Sequence, residues 1–326
     1  MSGKSIRVGL FLALLLATGL AAFAAGNLVI YNAGTPEMGD DLVRAFKAKY
    51  PDVKVDVIRQ GSGELITRIK AEAKKPQGDV IMAIAKENIE VINDLLMPYK
   101  VKEDAAFAPG VKEANGRFYG FSYNLQAFIV NTSLVPLADA PKSWKELGDK
   151  KWDGKIVLAN PALSGSAFAQ LFQMVGLYGW DLVNTVRRMT TYVPSSTLAY
   201  TFVSRGEFAI GVTGEGNVFT EKAKGAPVEA IYPSDGTGLR FDASAIILNG
   251  PNTANAKLWM DFLTTREAMS LISAAPHYRR MVRTDVAAPP GLRPSSEIKF
   301  IPYDDAAAAA KRDEYLKKFG EIFAAR

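Results

Sequence analysis

The chain has 326 residues, 39 basic and 34 acidic side chains, a formal net charge of +5, a single His (His277) and no Cys. Without Cys there is no disulfide, thiolate metal site, Cys nucleophile or lipid-accepting Cys, and one His leaves no His-pair metal motif and a single imidazole base. A hydrophobic content of 48% with 22% charged residues argues against wholesale disorder and suits one large domain or two of common size.

The first residues carry Lys4 and Arg7 and no acid, then a largely apolar run from Val8 to Leu20, then Ala22-Phe23-Ala24. A basic start, a short apolar stretch and a small-x-small site form the pattern of a secretory signal peptide, expected to be cleaved after Ala24. The apolar run falls short of the roughly 20 residues of a spanning helix. Removing 24 residues from 326 leaves 302, with 37 basic against 34 acidic side chains. A net charge of +3 is no footprint for a nucleic-acid partner. The expectation is an exported protein in the periplasm, without a membrane anchor after cleavage.

Asn27 to Tyr31 reads as a short buried strand, broken at Gly34-Thr35-Pro36. A helix follows, its start favoured by Asp40 and Asp41, with Leu42, Val43, Phe46 and Tyr50 on one face and Pro51 at its end. Val53, Val55 and Val57 alternate with Lys54 and Asp56, the period of a strand with one covered face. Gly61-Ser62-Gly63 opens a second helix from Glu64 to about Ala73, and Asp79 to Ala83 is another buried strand. This rhythm is that of an open α/β sheet flanked by helices.

Phe121 to Asn131 reads as one further strand, and Lys155 to Ala159 as a short one leading into Leu163-Ser164-Gly165-Ser166 and a helix from about Ala167 to Gly176. A helix near Asp181 to Arg188 comes next, then one capped by Ser195 and Ser196 that reaches Arg205. Phe208 to Val212, Val228 to Tyr232 and Ala243 to Leu248 read as strands, and Trp259, Phe262, Leu263, Met269 and Ile272 as helical faces. In the tail, Tyr315, Leu316, Phe319, Ile322 and Phe323 recur at helical spacing, as expected of an amphipathic helix docked on the body.

Three segments place small hydroxylic residues where a helix begins: Gly61-Ser62-Gly63, Ser164-Gly165-Ser166 and Ser195-Ser196-Thr197. A helix start leaves N–H groups unsatisfied and carries partial positive charge, so it holds an anion readily; plain N-capping is the competing reading. Glu215 and Asp235 stand in Gly-flanked turns, where they could accept hydrogen bonds from hydroxyls or an amine, ligate a hard cation, or serve the turn alone. Gly214-x-Gly216 is not a dinucleotide fingerprint, because Phe219 stands where its third Gly belongs, and Ser164 and Ser166 lack the Gly of a nucleophile elbow. His277 reads as a surface or hinge residue, and Arg279, Arg280 and Arg283 as a solvated face or ion pairs. No triad or metal-catalytic cluster emerges, so no enzyme activity is expected.

In order and spacing these pieces resemble the periplasmic solute-binding proteins of ABC importers, in the two-lobed group that takes ferric iron, phosphonates, polyamines and hexose phosphates. The matching stretches are Leu28 to Asn32, Gly61-Ser62-Gly63 with Leu65 and Arg68, Asp79-Val80, Asn160-Pro161-Ala162 with Ser164-Gly165-Ser166, and Pro194-Ser195-Ser196. They continue through Gly206-Glu207, Gly225 to Val228, Tyr232-Pro233, Gly236-Thr237 and Met281 to Val286. The resemblance implies an α/β fold of the type 2 periplasmic binding class. Each lobe would be an open mixed sheet flanked by helices, with the ligand cleft between the lobes. It implies one lobe from residues 25–118 and 240–286 and the other from 119–239 and 287–326. The expected ligand-binding set is Thr35, Ser62, Gly63, Tyr123, Ser164, Gly165, Ser166, Ser196, Glu215 and Asp235, with no cofactor and no metal. The partners implied are a small anionic solute and an inner-membrane ABC permease, with the protein itself a monomer. Ferric binders of the group carry an adjacent Tyr pair after the strand that Phe208 to Val212 matches; here that position reads Thr213-Gly214-Glu215. The serines instead suit a phosphate, phosphonate or carboxylate, with ferric iron as the alternative cargo.

Overall fold

The computed structural model describes residues 26–324, so the expected signal peptide lies outside the described residues. The first half opens with β1 (Gly26–Asn32), α1 (Pro36–Lys49), β2 (Val53–Arg59), α2 (Ser62–Ala71), β3 (Val80–Ala85) and α3 (Lys86–Glu90), followed by β4 (Leu96–Met97) and β5 (Tyr119–Tyr123). α1 begins at Pro36 and not near Asp40: Pro is tolerated in a helix's first turn, where its missing N–H would have no partner. Met38, Leu42 and Phe46 then fall on one buried face. Phe46 stacks edge-on against Trp259 and Phe262, burial that contributes about 1.5–3 kcal/mol for such a side chain.

The second half contributes β6 (Gln126–Asn131), β7 (Ile156–Ala159), α4 (Gly165–Met189), β8 (Thr190–Val193), α5 (Ser196–Ser204), β9 (Ile210–Gly214), α6 (Glu215–Ala223) and β10 (Val228–Ile231). The expected helices at 167–176 and 181–188 are the two arms of α4, which bends at Gly179, where φ is 70°. Then come β11 (Thr237–Gly238), β12 (Phe241–Ile247), α7 (Thr253–Leu263), α8 (Arg266–Ser273), β13 (Arg280–Met281), β14 (Phe300–Ile301), α9 (Asp305–Ala310) and α10 (Arg312–Ala324).

Two mixed sheets result. The first runs β13-β5-β12-β3-β1-β2, with β4 also paired to β12; β1 is parallel to both β2 and β3, and β12 is antiparallel to β3. β3 reads Val-Ile-Met-Ala-Ile-Ala and is buried throughout, the continuous apolar run of a strand covered on both faces. The second sheet runs β10-β6-β9-β7-β8. Along β6, Phe128 and Val130 join the core under Trp144 and α4, while Ile129 joins a second core with Val157, Val203 and Val218. Successive side chains on a strand point to opposite faces, so one apolar run feeds both cores.

The segment expected as one strand at 121–131 is two strands in different sheets, with the chain crossing at Asn124-Leu125. The alternation of Phe121, Tyr123, Leu125 and Ala127 with Ser122, Asn124 and Gln126 runs on across the crossing, so periodicity alone does not mark the change of sheet. The strand at 119–123 therefore pairs with β12 in the first lobe, one strand beyond the boundary expected at 118. The tail also divides: α9 packs on α3 of the first lobe and α10 on α4 of the second. The docked amphipathic helix is α10, with Phe319 buried in the second lobe's core.

Candidate functional site

Both sheets point the carboxyl ends of their parallel strands at one cleft, where open α/β sheets hold their ligands. From the first lobe come Thr35 after β1, Arg59 ending β2, Ser62 opening α2 and Ala83 in β3; from the second come Ser164 to Ser166 after β7, Ser195 to Thr197 after β8, Tyr200 and Asn217. Ser122, Asn124, Arg240 and Asp242 lie beside the crossing strands, and Arg279 enters just before β13. The cleft spans about 620 Å3, counting the part open to solvent, which suits a small solute and not a macromolecule. Ala83 takes a φ of 56° at this edge and donates its N–H to Ser244 Oγ at 3.2 Å, a strained backbone of the kind concentrated at binding sites.

The helix-start serines divide their work. Ser164 Oγ accepts from the Ala167 N–H at 3.3 Å and Ser195 Oγ from the Leu198 N–H at 3.2 Å, so both are genuine N-caps. Ser196 Oγ lies 2.6 Å from Ser164 Oγ, joining the two helix starts. Six of the ten expected ligand-binding residues therefore line the cleft: Thr35, Ser62, Ser164, Gly165, Ser166 and Ser196.

The other four stand elsewhere. A Cβ on Gly63 would lie 2.1 Å from the Ala162 carbonyl oxygen, so this glycine serves the contact between lobes and not an approach to ligand. Tyr123 is half-buried at the end of β5, outside the cleft lining, and burial raises its pKa. Glu215 is buried against Arg280 (Nε to Oε1, 2.5 Å) and accepts from the Tyr232 hydroxyl at 2.5 Å, which occupies its carboxylate. Asp235 Oδ2 accepts from the Trp144 N–H and the Tyr178 hydroxyl, each at 2.8 Å, and so fastens a loop. His277 is not on the surface: it is 4% exposed, with Nε2 2.9 Å from Asp41 Oδ2.

What sequence reasoning missed is the cleft's arginines. Arg240 is fully buried; burial opposes its charge, but Glu87 at 3.6 Å and Asp242 at 3.1 Å outweigh that and hold its pKa above the ordinary value. Burial pushes Glu87 itself up to about 7, against the pull of Arg240. Arg59 and Arg279, unlike Arg280 and Arg283, form no ion pair among the described residues. Arg59 Nε is buried and hydrogen-bonds nothing among the described residues, and burial lowers its pKa. Arg279 donates from Nη2 to Asn217 Oδ1 at 3.1 Å across the two lobes. Arg59 had one legible signal, a basic residue at a strand's end beside a Gly-Ser-Gly helix start; nothing local separates Arg279 from Arg280. Among the described residues no group of three or more His, Cys, Asp or Glu could hold a metal ion. No helix among them is long and apolar enough to cross a membrane.

Residues 41–299 match the family described as bacterial extracellular solute-binding protein. A protein of Haemophilus influenzae is 30% identical over 309 residues, 89% of each chain. The periplasmic binding protein AfuA from Actinobacillus pleuropneumoniae, solved with exogenous fructose-6-phosphate bound, superposes with a TM-score of 0.85 at 25% identity, covering 93% of this chain and 100% of that one. Iron-bound HitA from Pseudomonas aeruginosa reaches 0.77 at 21% identity, covering 91% and 99%, a likeness of fold alone. The chain belongs to the bacterial extracellular solute-binding proteins: it is a periplasmic substrate-binding component of an ABC importer, a carrier and not an enzyme.

Proposed function

We propose that the solute is a small organic anion, a phosphorylated sugar, a phosphonate or a similar molecule, held between the lobes and delivered to the permease. The observation that carries this reading is the pair Arg59 and Arg279, two guanidiniums without a carboxylate partner at the cleft. A positive charge withdrawn from water costs free energy unless an anion compensates it, and an arginine fork meets phosphate or carboxylate oxygens in bidentate fashion. The N-termini of α2, α4 and α5 converge on the same space, adding oriented N–H groups and the positive ends of three helix dipoles. Ser62, Ser166 and Ser196 are the hydroxyls placed to bind the anionic end, with Thr35, Tyr200 and Asn217 beside them for the polar remainder. The likeness to AfuA with fructose-6-phosphate supports an anion.

A donor set for ferric iron would need several anionic oxygens. Tyr200 is the one tyrosine lining this cleft among the described residues, and Asp242, the one carboxylate there, is paired with Arg240. Ligand bound to the folded state raises thermal stability as RT ln(1 + [L]/Kd). Hexose phosphates, phosphonates and phosphoglycerates at millimolar concentration should include at least one that raises the melting temperature. A rise with ferric iron or an organic cation, and none with any anion, would overturn the assignment.

A further inference from the structure

The lobes also meet along a seam that starts at the edge of the cleft and runs away from it. A Cβ on Gly61 would stand 2.1 Å from the Leu163 carbonyl oxygen, and one on Gly165 would stand 2.8 Å from Ser62 Oγ and 3.0 Å from Asn88 Nδ2. Together with Gly63 against Ala162, these contacts press the start of α2 and α3, from the first lobe, onto the loop that leads into α4 of the second.

At the end of this seam sits Arg312, the first residue of α10 and 8% exposed. Its helix is rooted in the second lobe by Phe319, by Tyr315 against Phe172 and Trp180, and by the bond from Arg187 Nη2 to the Phe323 carbonyl at 2.7 Å. Its side chain reaches the other lobe, donating from Nε to Asn88 Oδ1 at 2.8 Å in a buried bond. The guanidinium centre lies 5.7 Å from the Phe168 ring centroid, a cation–π approach to α4, and Nη2 would be 3.2 Å from a Cβ on Gly63. The carboxylate nearest to it, Asp313 at 3.7 Å, is almost wholly exposed and contributes little.

We infer that Arg312 is a clasp: a positioning residue that joins Asn88 of one lobe to Phe168 of the other and holds the seam shut whatever occupies the cleft. None of its partners lines the cleft, so the bond acts on the equilibrium between open and closed lobes and not on ligand contact. Removing it lowers the fraction of competent closed molecules and weakens apparent affinity by the same factor. The inference rests on the two-lobed fold alone, so it and the anion assignment stand or fall separately.

The test measures the distance between lobes. Glu37 and Arg205 are exposed on opposite lobes and flank one shallow groove, and the chain has no Cys, so Glu37→Cys with Arg205→Cys accepts a unique pair of nitroxide labels. The labelled full chain, stripped of retained solute by unfolding and refolding, is measured by pulsed dipolar spectroscopy with and without inorganic phosphate. The parent should show a short-distance population without phosphate. Arg312→Ala should lose at least half of it, Arg312→Lys should keep a part, and Asn88→Ala should lose it as Arg312→Ala does, with melting temperatures reporting that each variant is folded. A folded Arg312→Ala or Asn88→Ala distribution superimposable on the parent's, or a parent without the short population, overturns the inference.

Discussion

Gly63 and Ala162 meet across the two lobes so closely that a single added carbon on Gly63 would stand 2.1 Å from the Ala162 carbonyl oxygen. That neighbour is backbone and cannot swing aside, so the lobes reach this arrangement only if position 63 has no side chain. A Gly-Ser-Gly helix start thus has two uses here, since Ser62 faces the cleft while the glycines on either side admit the opposite lobe.

Gly63→Ala should therefore weaken solute binding about ten-fold or more, the equivalent of roughly 1.4 kcal/mol. The effect should fall on the dissociation rate, because the open lobes can still meet the solute but no longer close fully on it. Stopped-flow dissociation kinetics distinguish this from a lost ligand contact.

Arg59→Ala and Arg279→Ala should each cost the bound anion a charge-assisted hydrogen bond. Such bonds contribute about 1.5–3 kcal/mol, so each affinity should fall on the order of ten-fold to a hundred-fold. Arg280→Ala, whose guanidinium is taken by Glu215, should act on stability instead. Titration calorimetry on the three variants separates cleft arginines from paired ones.

Glu87 ties both stability and binding to pH. Burial holds its folded pKa near 7, above the ordinary 4.5, so its contribution is fully favourable below about 4.5 and is lost as pH rises through about 7. The loss is on the order of 3 kcal/mol, from about 1.4 kcal/mol for each pH unit. Denaturant unfolding should show that decline in the parent, and Glu87→Gln should flatten it. Protonated Glu87 also leaves Arg240 with one compensating carboxylate fewer, so anion affinity should rise as pH falls toward 5 (a rise of about this origin follows from linkage) and should lose that slope in Glu87→Gln.

Asp235→Ala removes the acceptor for the Trp144 N–H and the Tyr178 hydroxyl. The protein should lose about 1–3 kcal/mol of stability, chiefly the cost of leaving the N–H of buried Trp144 unmatched, since the exposed Tyr178 hydroxyl can turn to water. Solute affinity should stay within about two-fold of the parent, since Asp235 lies outside the cleft lining.

Most strands and helices were legible because each carries its own period: β3 as an unbroken apolar run, α1 through Leu42 and Phe46, while β8 and α6 were not read. The helix-start serines were legible for the same reason, since a cap and an anion site both follow from local backbone geometry. Arg240 and Arg279 were not, because a lone arginine acquires meaning only from what it faces after folding, and Arg59 offered no more than its place at a strand's end beside Gly-Ser-Gly. The same limit explains Glu215 and Asp235, whose turn positions look open to a ligand until Arg280, Tyr232, Trp144 and Tyr178 arrive from distant parts of the chain. The crossing at Asn124-Leu125 is likewise invisible locally, although Asn124 then donates from Nδ2 to Asp242 Oδ2 at 3.0 Å beside the cleft.

The most direct test of the anion site is titration calorimetry of hexose phosphates, phosphonates, ferric citrate and thiamine into the parent and into the folded Arg59→Ala/Arg279→Ala double variant. At least one of the organic phosphates or phosphonates should bind the parent and lose its binding heat in the double variant, while thiamine and ferric iron give none. Binding of a cation to the parent, or an anion affinity that survives loss of both arginines, would contradict the account.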